Sequence, residues 1–561
     1  MRDKRSSNIF SLIDSLSCYH IILILIFIVL LFELNILRNA DADLWGHIYF
    51  GKQILQNLLK WNVPFYDLYS YTAPKDYPWI SHEWLSQVIF YLVYSNFGSI
   101  GLISLRAILG LIILIILFKT ISGISQSKIT PILLLGMITW ILRETTIYRP
   151  QIFTYLLLSL FVYFFTAFEY KKKKILQLLP FLMVIFTNIH GGFLACLGFF
   201  TIYVFLEWVW CFTDSRQRDE QKNKTKYLFW ICCLSFAATL VNPYTYKLWP
   251  WVIKSILDPT LSNYLLEWSP LMRWYSLGLL YCFYPFLTYM TVLYLSIIWR
   301  TVSEKKIDIS KITLVLLINI APLYSVRHIP VFIILSTPIF AYYLDGIISP
   351  LHKMMRDKIS LTLKTLNQNS HISIGRIVKV LFLLEIVLIL ILLPIFKKEF
   401  FTKILVNDKM FPVRAVKFLK ENNIRGKVFC YHTWGEYLTW KLYPEIRVFI
   451  DGRNDTAYPM ELLRKYLKFE LSEKGAEKVL EEYPPDVIIL PVDVKVIYKN
   501  EESENWGFRY AFVPAIEEIE KSGNWEMVYK DDCTYIFLRK GLIKTEKFKY
   551  PRYSKDDLYF P

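Results

Sequence analysis

The sequence predicts a polytopic α-helical membrane protein that carries a small α/β domain outside the membrane at its C-terminal end. Three observations support this. The 561 residues are 54% hydrophobic and only 20% charged, an apolar excess over soluble domains, which sit at about 45–50%. The apolar residues gather in long runs separated by short basic loops. After residue 396 the runs shorten, and helix and strand periods mix.

Crossing a hydrocarbon core of about 30 Å takes about 20 mostly apolar residues, fewer where the bilayer thins. Runs that qualify lie near 19–37, 98–118, 129–142, 152–169, 175–189, 192–212, 227–241, 276–299, 312–324, 330–345 and 377–396, so the chain reads as about eleven transmembrane helices. MRDKRSSNIF ahead of the first run resembles a secretory signal. No small-residue cleavage site precedes Asn39-Ala40 and further spans follow, so the first run reads as an uncleaved helix. The loops KTISGISQSK, EYKKKK, TDSRQRDEQKNKTK, RTVSEKKIDISK and SPLHKMMRDK alternate with less basic ones. With the N-terminus placed in the cytoplasm, 23 Lys and Arg fall in inner loops against 10 in outer ones, as the positive-inside rule expects. The same parity places the C-terminal domain on the extracytoplasmic side of the cell (inner) membrane. Before residue 397 there are 35 Lys and Arg against 21 Asp and Glu, and from there on 29 against 27. Basic charge scattered over loops orients spans and does not track a phosphate backbone, which argues against a nucleic-acid partner and for membrane lipids.

Two outer loops, 38–97 and 242–275, are long and carry Trp, Tyr and Pro. WLSQVIFYLVYSNF (84–97) reads as an interfacial helix leading into the second span. Further on, VKFLKENN (416–423) is amphipathic, KVFCYH (427–432) and RVFIDG (447–452) read as strands, and PDVIILPV (485–492) as a buried strand. Helical stretches near 459–483 and 512–522 separate them, and 525–540 reads as a closing hairpin. The expected division is a membrane domain over 1–396, an outer α/β domain over 397–540 and a poorly ordered basic, aromatic tail over 541–561. None of the eight cysteines forms a CxxC pair, so a zinc or redox motif finds no support. Cys430 and Cys533 could form a disulfide if the outer domain is oxidised.

The polar residues at membrane depth favour one side. Asp41, Asp43, His47, His82, Glu83, Arg143, Glu144, Arg149, His190, Asn242, Glu267, Arg327 and His328 all fall at outer ends, whereas the inner ends carry mostly Lys and Arg. A charge at the bilayer centre costs about 2.5–3.5 kcal/mol, and less near the interface. One stray charge at a helix end is therefore cheap, but both signs drawn from at least five loops point to a shared outer-facing cavity. Asp41 and Asp43 stand at the exit of the first span. Two carboxylates this close can hold a divalent cation such as Mg²⁺ or Mn²⁺, or one can act as a general base while the other sets its pKa. An acidic pair that merely ends a helix is an equally fair reading, and His47, one turn further on, tips the balance slightly toward function. Trp45 and Tyr49, taken singly, read as an interfacial aromatic belt.

In Asn188-Ile189-His190-Gly191-Gly192 the glycines allow a close backbone approach or a plain hairpin turn. In Asn242-Pro243-Tyr244 the proline fixes a helix end. Glu267 either touches a polar group of a substrate or faces water. In FIDGRND, Asp-Gly is a turn signal, and Asp451, Arg453 and Asp455 suit a structural or acceptor-positioning role. No Gly-rich phosphate loop, G-x-S-x-G or H-E-x-x-H occurs.

DADLWGHIYFGKQIL, then NVPFYDLYSYTAP, then PWISHEWLSQVIFYLVYSNFG together resemble the first outer loop of the GT-C superfamily of glycosyltransferases. That superfamily includes protein mannosyltransferases, aminoarabinose transferases and oligosaccharyltransferases. The D-x-D-x-W-x-H pattern, with W-G-x-Y-L at Trp434, Gly435, Tyr437 and Leu438 and I-D-G-R at Ile450–Arg453, is similar to a bacterial branch of multi-spanning proteins. The chain departs from many superfamily members, which carry K-P-P-L where it has Ser81-His82-Glu83-Trp84-Leu85. A phosphate contact carried by that lysine would pass to His82 or an arginine.

The resemblance implies transfer of a sugar from a polyprenyl-phosphate-linked donor to an extracytoplasmic acceptor (a glycan, a lipid or a protein) with inversion at the anomeric carbon. Asp43 is the first candidate for the base and Asp41 the second. His47, His82, Glu83, Arg143, Arg149, His190, Glu267, Arg327 and His328 are the candidate substrate contacts, the arginines because their fork suits a phosphate leaving group. For any single arginine, snorkelling to water is the commoner role. Two other classes compete with this reading. A lipid-linked-glycan transporter or flippase would show ionisable residues at mid-membrane and often repeat symmetry. A non-catalytic envelope assembly protein would need only the outer domain as a binding surface.

Overall fold

The structure is a computed structural model that describes residues 18–60, 66–213, 218–305, 307–367, six positions between 380 and 388, 398–499, 506–542, 548–550 and 555–561. Its longer helices are α1 (Cys18–Leu34), α2 (Leu44–Leu59), α3 (Trp84–Ser122), α4 (Thr130–Leu142), α5 (Gln151–Lys171), α6 (Leu179–Ile189), α7 (Phe193–Thr213), α8 (Arg218–Ala238), α9 (Leu248–Leu257), α10 (Tyr284–Glu304), α11 (Ile309–Ile318) and α12 (Ile329–Asn367). Among the described residues, five helical stretches are long and apolar enough to cross a membrane: Trp84–Ser122, Gln151–Lys171, Phe193–Cys211, Leu280–Glu304 and Val326–Asp357. Shorter apolar helices cover Tyr19–Leu34, Thr130–Leu142, Lys174–Ile189 and Ile309–Tyr324. The run at 377–396 falls largely outside the described residues.

α3 contains two helices in sequence. Gly98 sits at φ 57°, ψ −151°, a conformation open to glycine and strained for any residue with a Cβ. The interfacial segment 84–97 and the following span therefore meet at a kink, as the sequence implies. Arg106, one of the few charges inside a span, is 3% exposed. It donates through Nη2 to the Asn35 carbonyl (2.6 Å) and through Nε to Asn35 Oδ1 (3.0 Å). It also stacks 4.5 Å from the Tyr148 ring centroid. This arginine ties off the carbonyls freed at the end of α1, where the chain turns toward Asp41.

The C-terminal part carries α13 (Val413–Glu421), α14 (Gly435–Leu442), α15 (Met460–Glu470) and α16 (Val513–Lys521) around a five-stranded sheet. Its strands are β1 (Gly426–Cys430), β2 (Ile446–Val448), β3 (Val487–Pro491), β6 (Trp525–Lys530) and β7 (Thr534–Arg539), in the order β2-β1-β3-β7-β6. β1 runs parallel to both β2 and β3, while β7 is antiparallel to β3 and β6. A separate hairpin joins β4 (Lys495–Lys499) to β5 (Trp506–Tyr510). VIILP on β3 is buried throughout, as a central strand covered on both faces must be. Cys430 and Cys533 are both free and buried, so the disulfide left open by the sequence is not made. The Cys533 thiol instead lies 3.7 Å from the Phe411 carbonyl.

Two expectations change once the outer part packs against the first outer loop. Trp45 is fully buried, with ring centroids 4.8 Å from Tyr437, 5.8 Å from Phe411 and 4.3 Å from Phe560. It is thus an inter-element core residue and not a lipid-interface anchor. Tyr49 likewise packs among Tyr69, Trp440 and Tyr443. The tail also docks at its end: Val406 N–H donates to the Leu558 carbonyl (2.7 Å), and Phe560 N–H to that of Ile404 (2.9 Å). The Phe560 ring, 3% exposed, fills the space over Trp45. Phe560→Ala should destabilise the protein by about 3 kcal/mol, read as a lower thermal midpoint of the detergent-solubilised chain. An unchanged midpoint would mean that the tail only rests on the surface.

Candidate active site

The site assembles where the exit of α1, the α4–α5 loop and the loop after α9 meet the outer domain. α2 starts at Leu44, with Asp43 in the N-cap position at φ −82°, ψ −13°. The Asp43 carbonyl accepts from His47 N–H at 2.9 Å, but its side chain makes no capping bond. Capping comes instead from 390 residues away: Glu436 Oε2, near the start of α14, accepts the Gly46 N–H at 3.1 Å. A carboxylate there satisfies a free donor and meets the positive end of the helix. The Asp43 carboxylate is left free to face other groups.

It faces Arg149. This residue precedes Pro150, whose ring favours the first turn of α5. Arg149 Nε donates to Asp41 Oδ1 at 2.5 Å, Nη2 lies 3.2 Å from Asp43 Oδ2, and Nη1 lies 3.4 Å from Glu267 Oε2. The other Glu267 oxygen is 3.6 Å from Arg327 Nη1, and the Arg327 guanidinium stands 4.4 Å over the Trp268 ring. Asp41 also accepts the Asp43 N–H at 3.1 Å. The two aspartates differ in access: the side chain of Asp41 is 15% exposed and that of Asp43 is 30%. Asp41 is thus a fixed partner of the guanidinium, and Asp43 is the more available carboxylate.

A second cluster adjoins the first. Glu83 Oε1 lies 3.2 Å from His190 Nε2 and 3.5 Å from His82 Nε2. His190 Nδ1 accepts from Gly192 N–H at 3.1 Å and lies 2.7 Å from Thr154 Oγ1. These contacts assign the ring proton to Nε2, pointing at Glu83. A Cβ on Gly192 would meet Thr154 Oγ1 at 2.6 Å, so this glycine serves close packing as well as the turn. His82 stacks on Trp251, centroids 4.9 Å apart. His47 is buried beside Phe90 between the two clusters, and among the described residues its Nε2 has no hydrogen-bond partner.

Burial raises Asp43 to about 7; Arg149 pulls it back, while Asp41, Glu267 and Glu83 push it up. Burial, then Asp43 and Asp451, hold Glu436 well above the usual carboxylate range. For Glu267, burial opposes ionisation, but Arg149 and Arg327 outweigh it and hold the group low. Glu83 is likewise held well below its ordinary value, since hydrogen bonds from His190 and His82 exceed the effect of burial. Burial lowers His47 to about 4, so this ring is neutral at pH 7.

The arrangement joins most of the residues singled out from the sequence and leaves out Arg143, Glu144, Asn242 and His328. Arg143 pairs with Glu33 (3.4 Å) and Glu144 (3.0 Å), so it is not part of the acidic cluster. His328 interacts with Arg327 beside it and with the backbone of Ala321 and Ser325, not with the carboxylates. The space between Asp41 and Asp43 is taken by the Arg149 guanidinium, and among the described residues no group of three His, Cys, Asp or Glu could hold a metal ion. As arranged, the aspartate pair seats a guanidinium and does not fit a metal.

Glu436 is the member of the cluster missed by the sequence reading, although it fills the open position of the W-G-x-Y-L pattern. Its one signal is the pair of glycines around it. A Cβ on Gly46 would meet Glu436 Oε2 at 2.0 Å, and one on Gly452 would lie 3.0 Å from Asp43 Oδ1 and 3.1 Å from Glu436 Oε1. Gly46→Ala should therefore expel the Glu436 carboxylate and lower activity with little loss of protein level, measured as turnover per folded molecule. Wild-type turnover in that variant would show that the cap plays no part.

Asp451, Arg453 and Asp455 do not form an open acceptor site. Arg453 Nη2 donates to Asp67 Oδ1 (2.5 Å) and Asp451 Oδ2 (2.7 Å), and Nε donates to Asp451 Oδ1 (2.8 Å). Its guanidinium lies 4.4 Å from the Phe50 ring centroid and 4.9 Å from that of Trp79. The I-D-G-R motif is therefore a buried clamp between the first outer loop and the outer domain. Asp455 is pushed up by burial, and its carbonyl accepts from Trp251 Nε1 at 3.3 Å.

No protein-family model matches the sequence, and no curated protein does. The structure is similar to that of the archaeal oligosaccharyltransferase AglB from Archaeoglobus fulgidus, solved in complex with an inhibitory peptide and a dolichol-phosphate. The TM-score is 0.52 at 12% sequence identity, over 88% of this chain and 74% of that one. At that identity the likeness concerns the fold alone: this chain shares the overall fold of that oligosaccharyltransferase.

Proposed function

We propose that this chain is an integral-membrane glycosyltransferase that moves a sugar from a polyprenyl-phosphate-linked donor to an extracytoplasmic acceptor. The observation that carries this reading is the convergence of Asp41, Asp43, Arg149, Glu267 and Arg327 from separate loops into one cluster of alternating charge. Asp43 is the base: it takes the proton of the acceptor hydroxyl as that oxygen attacks the anomeric carbon. The bond from that carbon to the lipid phosphate breaks, and its electron pair leaves with the phosphate, so the centre inverts in one displacement. Arg149 and Arg327 balance the charge gathering on the phosphate. A divalent cation at Asp41 and Asp43 would have to displace Arg149, so no step is assigned to one. The AglB structure supports the donor class, since a dolichol-phosphate is bound to that protein.

The accompanying topology has about eleven spans in the cell membrane, with the N-terminus cytoplasmic and an outer domain over 397–540. Mass spectrometry of polyprenyl-linked sugars and envelope glycans in a strain lacking the protein tests the proposal. Accumulated donor beside a truncated acceptor is expected. Unchanged pools of both would overturn it.

A further inference from the structure

α7 and α8 enclose an open cavity of about 740 Å³ away from the charged site. α7 starts at Phe193, next to His190 and Gly192, and its 21 residues carry it about 30 Å away. α8 returns over the same distance to Ala238, and its Phe236 ring stacks on Trp249, which packs against Phe193. The cavity therefore runs along the pair from Phe236 to the lysines at the end opposite Asp43. Phe205 and Trp208 on α7 and Phe229 and Phe236 on α8 form its walls, and Lys222 and Lys226 close its far end.

The rotation of α8 makes this end positive. Lys224 faces the protein, 3.0 Å from Glu169 and 3.1 Å from Glu207, and Gln221 donates to Glu207 at 2.5 Å. Those contacts occupy the two carboxylates that neighbouring helices offer. Lys222 and Lys226, i and i+4 on the other face, are exposed and have no ion pair among the described residues. Asp219 and Glu220 lie in the first turn of α8, where they favour the helix N-terminus and pair with neither lysine. Pure snorkelling accounts for the lysines but not for the trough below them.

We propose that the α7–α8 trough is a binding site for an anionic phospholipid of the leaflet opposite the Asp43 cluster. Its acyl chain lies along the four aromatic rings, and its phosphate lies between Lys222 and Lys226. The trough is not the donor's seat, because a donor phosphate must reach Arg149 about one membrane thickness away. The site is also independent of the transfer reading. Against an apolar bilayer the chain gains little on entering, so selectivity comes from the lysines. At the usual strength of a lysine near an anionic headgroup, two of them give about a thirtyfold preference.

Native mass spectrometry of the full chain with phosphatidylglycerol and phosphatidylcholine of equal chain length tests the site. Wild type should retain phosphatidylglycerol about thirtyfold more tightly, and the double substitution K222Q/K226Q should bring the ratio near one. Both positions are exposed, so the double variant should keep its thermal midpoint in phosphatidylcholine. Should it not, K222Q and K226Q singly, each with a loss of about fivefold, take its place. No headgroup preference in wild type, meaning bulk lipid only, overturns the proposal. So does a preference that survives the substitutions, or inorganic phosphate competing as well as the lipid.

Discussion

Asparagine at position 43 is expected to lower sugar-transfer turnover by about a thousandfold, the middle of the range for loss of a positioned base. The substitution keeps the shape of the side chain and an oxygen able to accept from Arg149, so folding and membrane level should match wild type. Asp41→Asn should cost less in chemistry and more in geometry, since Asp41 holds both the Arg149 Nε and the Asp43 N–H. The wild-type pH profile gives a second readout. A base works deprotonated, and burial raises Asp43 to about 7. The active form is therefore lost as pH falls through about 7, and kcat/KM should drop on that side. Turnover of Asp43→Asn within a few fold of wild type would remove Asp43 from the chemistry. A profile flat from pH 8 to 5.5 would remove it as the titrating base.

The largest effect on stability is expected at Arg453. Its side chain is 4% exposed, that of Asp67 2% and that of Asp451 0%, so Arg453→Met leaves two carboxylates buried among aromatic rings. Breaking such a buried pair from one side costs about 3–5 kcal/mol. Chemical denaturation should show that loss, and the joint between loop 38–97 and the outer domain should open to protease. Lysine restores the charge but not the fork that reaches both aspartates, so Arg453→Lys should fall between. Changing Asp67 and Asp451 to asparagine in the Arg453→Met background should recover part of the loss, because the unpaired charges are gone. No recovery would mean that the arginine acts mainly through packing on Phe50 and Trp79.

Much of the architecture was legible in the residues. The long apolar runs, the break at Gly98 and the strands around Phe429, Ile488 and Phe537 follow from local period and length. Those properties act over a few residues and need no partner. α14 was harder to see, because GEYLTWKL is short and half of its buried face is polar or small. The β4–β5 hairpin also lacks an alternating core face, since no residue of β5 is fully buried. The acids and bases of the site could be identified by type and by their place at the ends of apolar runs, which hydropathy reports.

What the sequence determined by itself was the membrane class, the α/β character of the C-terminal part, and the polar residue types, Asp43, Arg149 and Glu267 among them, that stand at the ends of apolar runs. Tertiary structure alone decided which of these meet. Arg149 joined Asp41 while Arg143 went to Glu33, although the two arginines are six residues apart in one loop. It also decided that Glu436 caps α2 from the far domain, that Trp45 is core, and that the Asp-Gly-Arg turn is a clamp. The reason is the range of the forces. Burial of apolar runs and loop charge act through sequence-local sums, whereas an ion pair or a cap depends on a distance of about 3 Å, which only the packing of remote segments can set.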